Sequence, residues 1–119
     1  MGWWMIRGEI RLLDLDPVQG SEANKRRPAV VVSNDRANAS AAKRGRGVVT
    51  VVPLSSNISR VLPFQVLLPS EQTALHVDSK AQAERIRSVS VGRLGGVIGR
   101  VPPRLMAAID EALRLHLHL

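Results

Sequence analysis

Short runs of apolar and β-branched residues, separated by polar or proline-containing breaks, follow one another along most of this chain. Apolar positions alternate imperfectly over residues 7–15, which predicts a strand with one face in the core. The valine block 30–32 and the β-branched segment 47–54 predict two buried strands. Residues 64–68, between two prolines, predict a further short strand, and the alternation over 77–89 predicts one long bent strand or two.

Polar or glycine-rich stretches lie between these predicted strands. Residues 36–47, rich in alanine, asparagine, serine and cations, could hold a short helical turn but are predicted to form a surface loop. Residues 72–76 are predicted to form a second loop. The glycine-rich segment 92–99 is predicted to interrupt the strand pattern. A helix is predicted to begin near Pro102 and Pro103, because proline is well tolerated in a first helical turn. Its predicted apolar face is formed by Leu105, Ala108, Ile109, Ala112, Leu113, His116 and Leu117.

Five or six short strands followed by one helix predict a mainly β fold with helices (α+β), a small twisted barrel closed by a C-terminal helix. The apolar face of that helix could cover the barrel or pair with a second subunit. The chain of 119 residues is long enough for a single core. We therefore expect one domain over residues 7–119, and residues 1–6 are expected to be a disordered extension.

The charge of the chain changes this picture. Seventeen Lys and Arg residues stand against ten Asp and Glu residues, for a formal net charge of +7. Residues 20–46 carry seven cations and two acids, and so supply five of those seven net charges. Such a surplus favours a polyanionic partner, most often nucleic acid, although a merely basic soluble protein has the same composition.

The most informative stretch is residues 20–35, where three consecutive cations precede Pro28 and the valine block. Proline disfavours the helical conformation of the residue before it, so Arg27 should be extended at the start of a strand. An arginine fixed in this way can bind a phosphate through two parallel hydrogen bonds. Without the strand that follows, a solvated basic loop would be the better interpretation.

Several classes of chemistry are disfavoured by composition. With no cysteine, disulfides, thiolate metal sites and a cysteine nucleophile are excluded. The apolar N-terminal residues are too few for a signal peptide or a membrane span, and an intracellular compartment fits. His76 and Asp78 lack a nearby third ligand, so no metal or other cofactor is predicted. Because only three aromatic residues are present, a nucleic acid would be held mainly through its phosphates.

Several motifs occur in the order and spacing of the MazF/PemK toxins, which the chain resembles from residue 7 to the final helix. They are Arg7-Gly8-Glu9-Ile10, Leu13-Asp14-Leu15-Asp16-Pro17, Gly20-Ser21-Glu22, Arg26-Arg27-Pro28-Ala29-Val30-Val31-Val32-Ser33-Asn34-Asp35, Val51-Val52-Pro53-Leu54-Ser55-Ser56, Glu84-Arg85-Ile86-Arg87-Ser88-Val89 and Arg93-Leu94. Several linked motifs in order are far more specific than any single one.

The resemblance implies an SH3-like barrel that forms a homodimer and acts as a sequence-specific endoribonuclease on single-stranded mRNA in the cytoplasm. It implies cleavage without a metal, to 2′,3′-cyclic phosphate and 5′-hydroxyl ends. It also implies a toxin–antitoxin system that arrests growth and is neutralised by a MazE-like antitoxin. Two alternatives are a same-fold, CcdB-like toxin that binds DNA gyrase and a non-catalytic module that binds RNA or antitoxin.

By the same resemblance, Arg27 and Ser55 are the predicted catalytic residues. Arginine stays protonated in proteins, so Arg27 is assigned to charge stabilisation and the general base stays unassigned. The predicted RNA-binding residues are Ser21, Glu22, Lys25, Arg26, Ser56, Asn57, Glu84 and Arg85. Ser21 replaces a histidine of PemK-type members, while Gln82 and Glu84 replace an arginine–aspartate pair. Arg11 replaces the family's usual tryptophan, which predicts a changed surface.

Overall fold

The computed structural model describes residues 5–14 and 26–119, which form an antiparallel sheet with three helices. The strands are β1 (Glu9–Asp14), β2 (Arg26–Val31), β3 (Val48–Ser55), β4 (Gln65–Leu68), β5 (Ser79–Gln82), β6 (Arg87–Ser90) and β7 (Leu94–Arg100). The helices are α1 (Asp35–Arg44), α2 (Ser70–Thr73) and α3 (Pro103–Leu117). Short 3-10 turns occur at Ala83–Arg85 and Val91–Arg93.

The sheet has the strand order β4-β5-β3-β2-β1-β7, with β6 also pairing with β3. β3 is central because β2 lies along one of its edges, while β6 and β5 in turn share the other. The region predicted as one long strand or two is two, separated by the turn Ala83–Arg85. The predicted class, a mainly β fold with a C-terminal helix, is confirmed, although the described strands do not close into a complete barrel.

Alternation along the strands divides the buried residues between two faces. One face packs against α3, and its cluster is formed by Ile10, Val30, Val32, Val52, Leu54, Leu68, Ala81, Val101, Leu105, Met106 and Ile109. The second cluster is formed by Met5, Leu13, Ala29, Val31, Ala41, Val49, Val51, Val89 and Val91. The first turns of α3 therefore cover the sheet, whereas Leu115, Leu117 and Leu119 at the chain end are exposed.

The predicted surface loop over residues 36–47 is wrong, because α1 occupies most of it. The Asn34 side chain caps this helix by accepting a hydrogen bond from the backbone N–H of Ala37. Gly45 ends it in the left-handed conformation that glycine adopts easily. Asn38 and Ala41 face the protein interior, so tertiary packing adds to a locally favourable sequence.

The glycine-rich segment 92–99 does not interrupt the sheet, because most of it forms β7, which pairs with β1. Gly99 lies where β7 passes under α2, and a Cβ atom at this position would overlap the carbonyl oxygen of Thr73. The glycine therefore permits a close approach of two backbones inside a strand, which is one of the established uses of glycine in sheets.

The predicted changed surface at Arg11 is also wrong, because the side chain is buried. Its guanidinium donates through Nε and Nη2 to Oε1 of Glu9, at 3.0 and 2.9 Å. Its Nη1 donates to the carbonyl oxygen of Gly95. Arg100 adds a longer contact of 3.5 Å to Oε2 of the same carboxylate. Arg11 therefore belongs to a buried ion pair within β1, which is linked to β7 through the Gly95 carbonyl and Arg100.

Three of the predicted RNA-binding residues, Ser21, Glu22 and Lys25, lie outside the described residues. Within the predicted extension, residues 1–4 lie outside them as well, and Met5 is buried in the second cluster. The domain boundaries stay a prediction. No helix in the described part of the chain combines the length and apolarity needed to cross a membrane.

Candidate active site

A cleft of about 460 Å³ opens on the face of the sheet that carries the second cluster. It is lined by Leu13, Arg27, Pro53, Leu54, Ser55, Gln82, Arg85 and Arg87. These residues come from five strands and the 3-10 turn between β5 and β6. Arg27, Ser55 and Arg85, predicted from three distant parts of the sequence, are therefore brought together.

The strand register explains why Arg27 and Ser55 meet. Ala29 of β2 pairs with Pro53 of β3 in antiparallel register. Arg27 lies two residues before Ala29, and Ser55 lies two residues after Pro53. In an antiparallel pair these two positions are neighbours, so both side chains emerge on the same face of the sheet. Leu13 of β1 is the partner of Arg27 on its other side, and it forms the apolar floor of the cleft.

Three guanidinium groups give the cleft its charge. Arg27, Arg85 and Arg87 are all exposed, and within residues 5–14 and 26–119 none of them makes a side-chain hydrogen bond or an ion pair. Their donors are therefore available to a ligand as far as the described residues are concerned. Planar guanidinium groups match the oxygen geometry of a phosphate, so the cleft can bind a polyanion such as nucleic acid.

Ser55 supplies a neutral hydroxyl to this cationic cleft. Its Oγ accepts a hydrogen bond from the backbone N–H of Asn57 at 3.1 Å. This contact occupies one acceptor site of the hydroxyl and leaves its hydrogen free to donate to a ligand oxygen. The Asn57 side chain in turn accepts from the backbone N–H and the hydroxyl of Ser59, at 3.3 and 2.8 Å.

The other predicted RNA-binding residues in the described part of the chain do not line the cleft. Ser56 and Asn57 are exposed on the loop that leaves its edge. Arg26 emerges on the opposite face from Arg27, where it borders a smaller depression of about 100 Å³ with Asp14 and Arg93.

Glu84 is turned toward the protein instead. Its Oε2 accepts a hydrogen bond from Nε2 of Gln65 at 2.7 Å. Its Oε1 is buried and has no hydrogen-bond partner among the described residues. The carboxylate therefore makes its contacts inside the fold and is not presented to the cleft.

Two cleft residues, Gln82 and Arg87, were not among the predicted site residues. Arg87 pairs with Val51 in the register of β6 and β3, which directs its side chain to the cleft side of the sheet. The sequence did contain a sign that Arg87 faces the cleft. Arg85 and Arg87 flank Ile86, which packs against the first cluster. Spacing alone did not show which of the two arginines would line the cleft, and the structure shows that both do.

In the part of the chain that the structure describes, no three His, Asp or Glu side chains are grouped closely enough to hold a metal ion. The chemistry that this site can support on its own residues is cationic stabilisation of an anion together with hydrogen-bond donation from Ser55.

Residues 6–117 match the family model of the PemK-like, MazF-like toxin of type II toxin–antitoxin systems. The chain is 64% identical over 115 residues to the endoribonuclease MazF9 of Mycobacterium tuberculosis, covering 97% of this chain and 98% of that protein. It is 32% identical over 114 residues to the endoribonuclease EndoA of Bacillus subtilis, covering 95% and 94%. A solved mycobacterial endoribonuclease in complex with its cognate antitoxin is similar in structure, with a TM-score of 0.75, 26% identity and coverage of 97% and 96%.

Proposed function

We propose that this chain, which belongs to the PemK-like, MazF-like toxin family and is an endoribonuclease of that family, cuts single-stranded mRNA at short sequence motifs without a metal ion. The products would carry 2′,3′-cyclic phosphate and 5′-hydroxyl ends. The observation that carries this proposal is the meeting of Arg27 and Ser55 in one cleft with Arg85 and Arg87. None of these arginines is paired with an acid of the described residues, which suits them to an anionic substrate.

The proposed reaction is an intramolecular transesterification. The ribose 2′-oxygen loses its proton and forms a bond to phosphorus, and the bond to the 5′-oxygen breaks, with that oxygen taking up a proton. Because the nucleophile is already tethered beside the phosphorus, the site needs chiefly to position the backbone and stabilise charge. One proton leaves the 2′-oxygen and one is taken up by the 5′-oxygen, so the reaction consumes no other reagent.

Within this reaction, Arg27 would stabilise the extra negative charge that develops on the phosphorane oxygens. Ser55 would donate its hydroxyl hydrogen to one of those oxygens. Arg85 and Arg87 would hold the neighbouring phosphates, and Ser56 and Asn57 would contact the strand where it leaves the cleft. Lys25 and Arg26 stay candidates for binding phosphates further along the RNA. Ser21 and Glu22 stay candidates for contacting the same RNA strand.

The gyrase-binding alternative receives less support from the site. A protein that only occupies a protein target has no need of three exposed guanidinium groups around a hydroxyl, whereas a phosphate backbone does. The non-catalytic alternative predicts RNA binding without cleavage. Similarity to proteins named as endoribonucleases over almost the whole chain favours catalysis over both.

The proposal also covers the antitoxin, the oligomeric state and the cellular compartment. A MazE-like antitoxin would cover the cleft with acidic residues, and binding of an antitoxin is supported by the solved relative that is in complex with its cognate antitoxin. The toxin would act as a homodimer. It would act in the cytoplasm, because that is where its mRNA substrate is found.

The test is to incubate the purified protein with a long unstructured RNA in the presence of EDTA and to analyse the fragment ends. Discrete fragments with cyclic-phosphate and 5′-hydroxyl ends, lost in Arg27→Ala, are the expected result. Intact RNA that stays bound would support the non-catalytic module. Intact and unbound RNA, together with inhibition of gyrase supercoiling, would support the gyrase-binding alternative.

A further inference from the structure

Lys80 lies beside the candidate active site but was not assigned to it. It is one of the few buried charged residues, with 9% of its surface exposed. Its Nζ donates a hydrogen bond of 2.8 Å to the backbone carbonyl oxygen of Arg60. No carboxylate of the described residues lies within ion-pair distance of this ammonium group.

The sheet register places Lys80 next to Ser55. The two residues are direct partners in the pairing of β5 with β3, so their side chains emerge on the same face. Gln82, two residues further along β5, emerges on that face as well and lines the cleft. Across the strands, Arg27, Ser55 and Lys80 therefore follow one another in this order on the cleft side of the sheet.

The atom that Lys80 holds belongs to the β3–β4 loop, residues 56–64. This loop begins at the cleft, where Asn57 donates to Ser55, and it contains the Arg60 carbonyl that accepts from Lys80. At its far end the backbone N–H of Leu62 donates to Oε1 of Gln65 at 3.0 Å. Nε2 of Gln65 donates in turn to Glu84. Lys80 thus provides the middle of three hydrogen-bonded attachments.

The charge of Lys80 has a consequence for the strength of this attachment. Burying an ammonium group without a carboxylate partner is unfavourable, and an apolar side chain would fill the same space at lower cost. A charge-assisted hydrogen bond to a carbonyl is stronger than a neutral one. A lysine at position 80 therefore attaches the loop more strongly than an apolar residue would, although it stabilises the core less.

We infer that Lys80 is a positioning residue of this ribonuclease, which fixes the β3–β4 loop at the edge of the RNA cleft and so restricts which nucleotides enter it. The inference rests on the proposed function. Lys80 does not line the cleft itself, and it acts through the loop and through the Asn57 contact to Ser55.

The test compares full-length wild-type protein with Lys80→Met, which keeps the length of the side chain and removes its charge. Lys43→Met is the matched control, because Lys43 is exposed on the last turn of α1. Amide hydrogen exchange is measured without RNA, and cleavage of a long unstructured RNA is mapped at each cut site. Lys80→Arg, which restores a donor, and the neutral Lys80→Gln complete the series and serve if Lys80→Met does not fold.

The expected result has two parts. Exchange at the amides of Asn57, Ser59 and Leu62 should rise at least about tenfold in Lys80→Met and not in Lys43→Met, because local opening becomes easier. KM should rise several-fold with little change in kcat, and additional cut sites should appear. Lys80→Arg should restore both properties in part, which a loss of packing alone would not predict.

Three outcomes would overturn the inference. Exchange could be unchanged in Lys80→Met, or exchange could rise while KM and the set of cut sites stay as in the wild type. Alternatively, a reduced salt dependence of RNA binding with unchanged exchange would show that Lys80 contacts a phosphate directly. If wild-type protein fails to cut RNA, the proposed function fails, whereas unchanged exchange in a cutting enzyme overturns only the role of Lys80.

Discussion

Two groups of arginines in this molecule have opposite surroundings. Arg11 is buried on β1, where it shares the carboxylate of Glu9 with Arg100 of β7. Arg27, Arg85 and Arg87 stand around a cleft, exposed and without an acid partner among the described residues. The first arrangement satisfies a cation within the fold, and the second leaves three cations with donors available to a ligand. Because all these residues are arginines, it is the presence or absence of an acid partner in the described part of the chain that separates the structural arginine from the arginines proposed to bind RNA.

The largest effect is expected when a cation is removed from the cleft, which tests whether its arginines act on RNA. Arg27→Ala is expected to lower kcat for RNA cleavage at least about a hundredfold, because charge on the phosphorane loses its principal stabilising group. The melting temperature should stay near that of the wild type, since Arg27 is exposed. Arg36→Ala, which removes an exposed arginine from α1, should retain wild-type kcat. A variant Arg27→Ala that cuts at the wild-type rate would refute the assigned role.

The second prediction addresses the buried pair. Arg11→Met should lower the free energy of unfolding by about 3 kcal/mol, because it leaves the buried Glu9 carboxylate with the longer contact to Arg100 as its ion pair, beside the hydrogen bond from the backbone N–H of Ile6. The measurement is denaturant unfolding at neutral pH. Adding Glu9→Leu should recover much of the loss, since no uncompensated charge then stays buried. If the double variant is no more stable than Arg11→Met, the ion pair is not the cause.

A third prediction sharpens the comparison by changing a neutral group among the cations. Ser55→Ala should lower kcat about tenfold, which is the effect of one lost neutral hydrogen bond. The loss should be smaller than that in Arg27→Ala, measured by single-turnover cleavage on the same RNA. Ser90→Ala is the matched control, because that hydroxyl is exposed on β6 and does not line the cleft. An equal or larger loss in Ser55→Ala than in Arg27→Ala would make the hydroxyl the principal group.

The smallest expected effects concern Arg85 and Arg87. Each change to alanine should weaken RNA binding about five- to tenfold at low salt and reduce the slope of log affinity against log salt by about 0.7, the value for one phosphate contact on a single strand. Filter binding with a non-cleavable RNA, at several salt concentrations, measures both quantities. Arg93→Ala, outside this cleft, should leave the slope closer to that of the wild type. Unchanged slopes in Arg85→Ala and Arg87→Ala would exclude them as phosphate contacts.

Much of the fold was predictable from local pattern, and the failures have definite causes. The strands around the valine blocks and the C-terminal helix follow from alternation and helical spacing, both local properties. Helix α1 was missed because its sequence is polar and alanine-rich, and what stabilises it includes the Asn34 cap and the burial of Asn38. Strand β7 was missed because glycine normally weakens strands, and the close approach at Gly99 depends on a helix distant in sequence.

The site was predictable only in part for a related reason. Arg27 and Ser55 were identified through a family resemblance, and the structure brings both to the cleft. Arg87, Gln82 and Lys80 depend on how β3, β5 and β6 pair, and no sequence spacing encodes that register. The burial of Arg11 likewise depends on Glu9 and Gly95 lying beside it across β1 and β7.

The close approach of Gly99 to the Thr73 carbonyl also affects which mutations would inactivate this toxin in cells. Every side chain at position 99 would meet the Thr73 carbonyl, so nearly any missense change in that codon should disrupt the contact between β7 and α2. Survivors of toxin expression should therefore fall into two classes. Changes in the cleft would leave a stable and inactive protein, whereas changes at Gly99 would lower the amount of folded toxin. A single glycine outside the cleft thus offers inactivating mutations as readily as Arg27, the proposed catalytic residue.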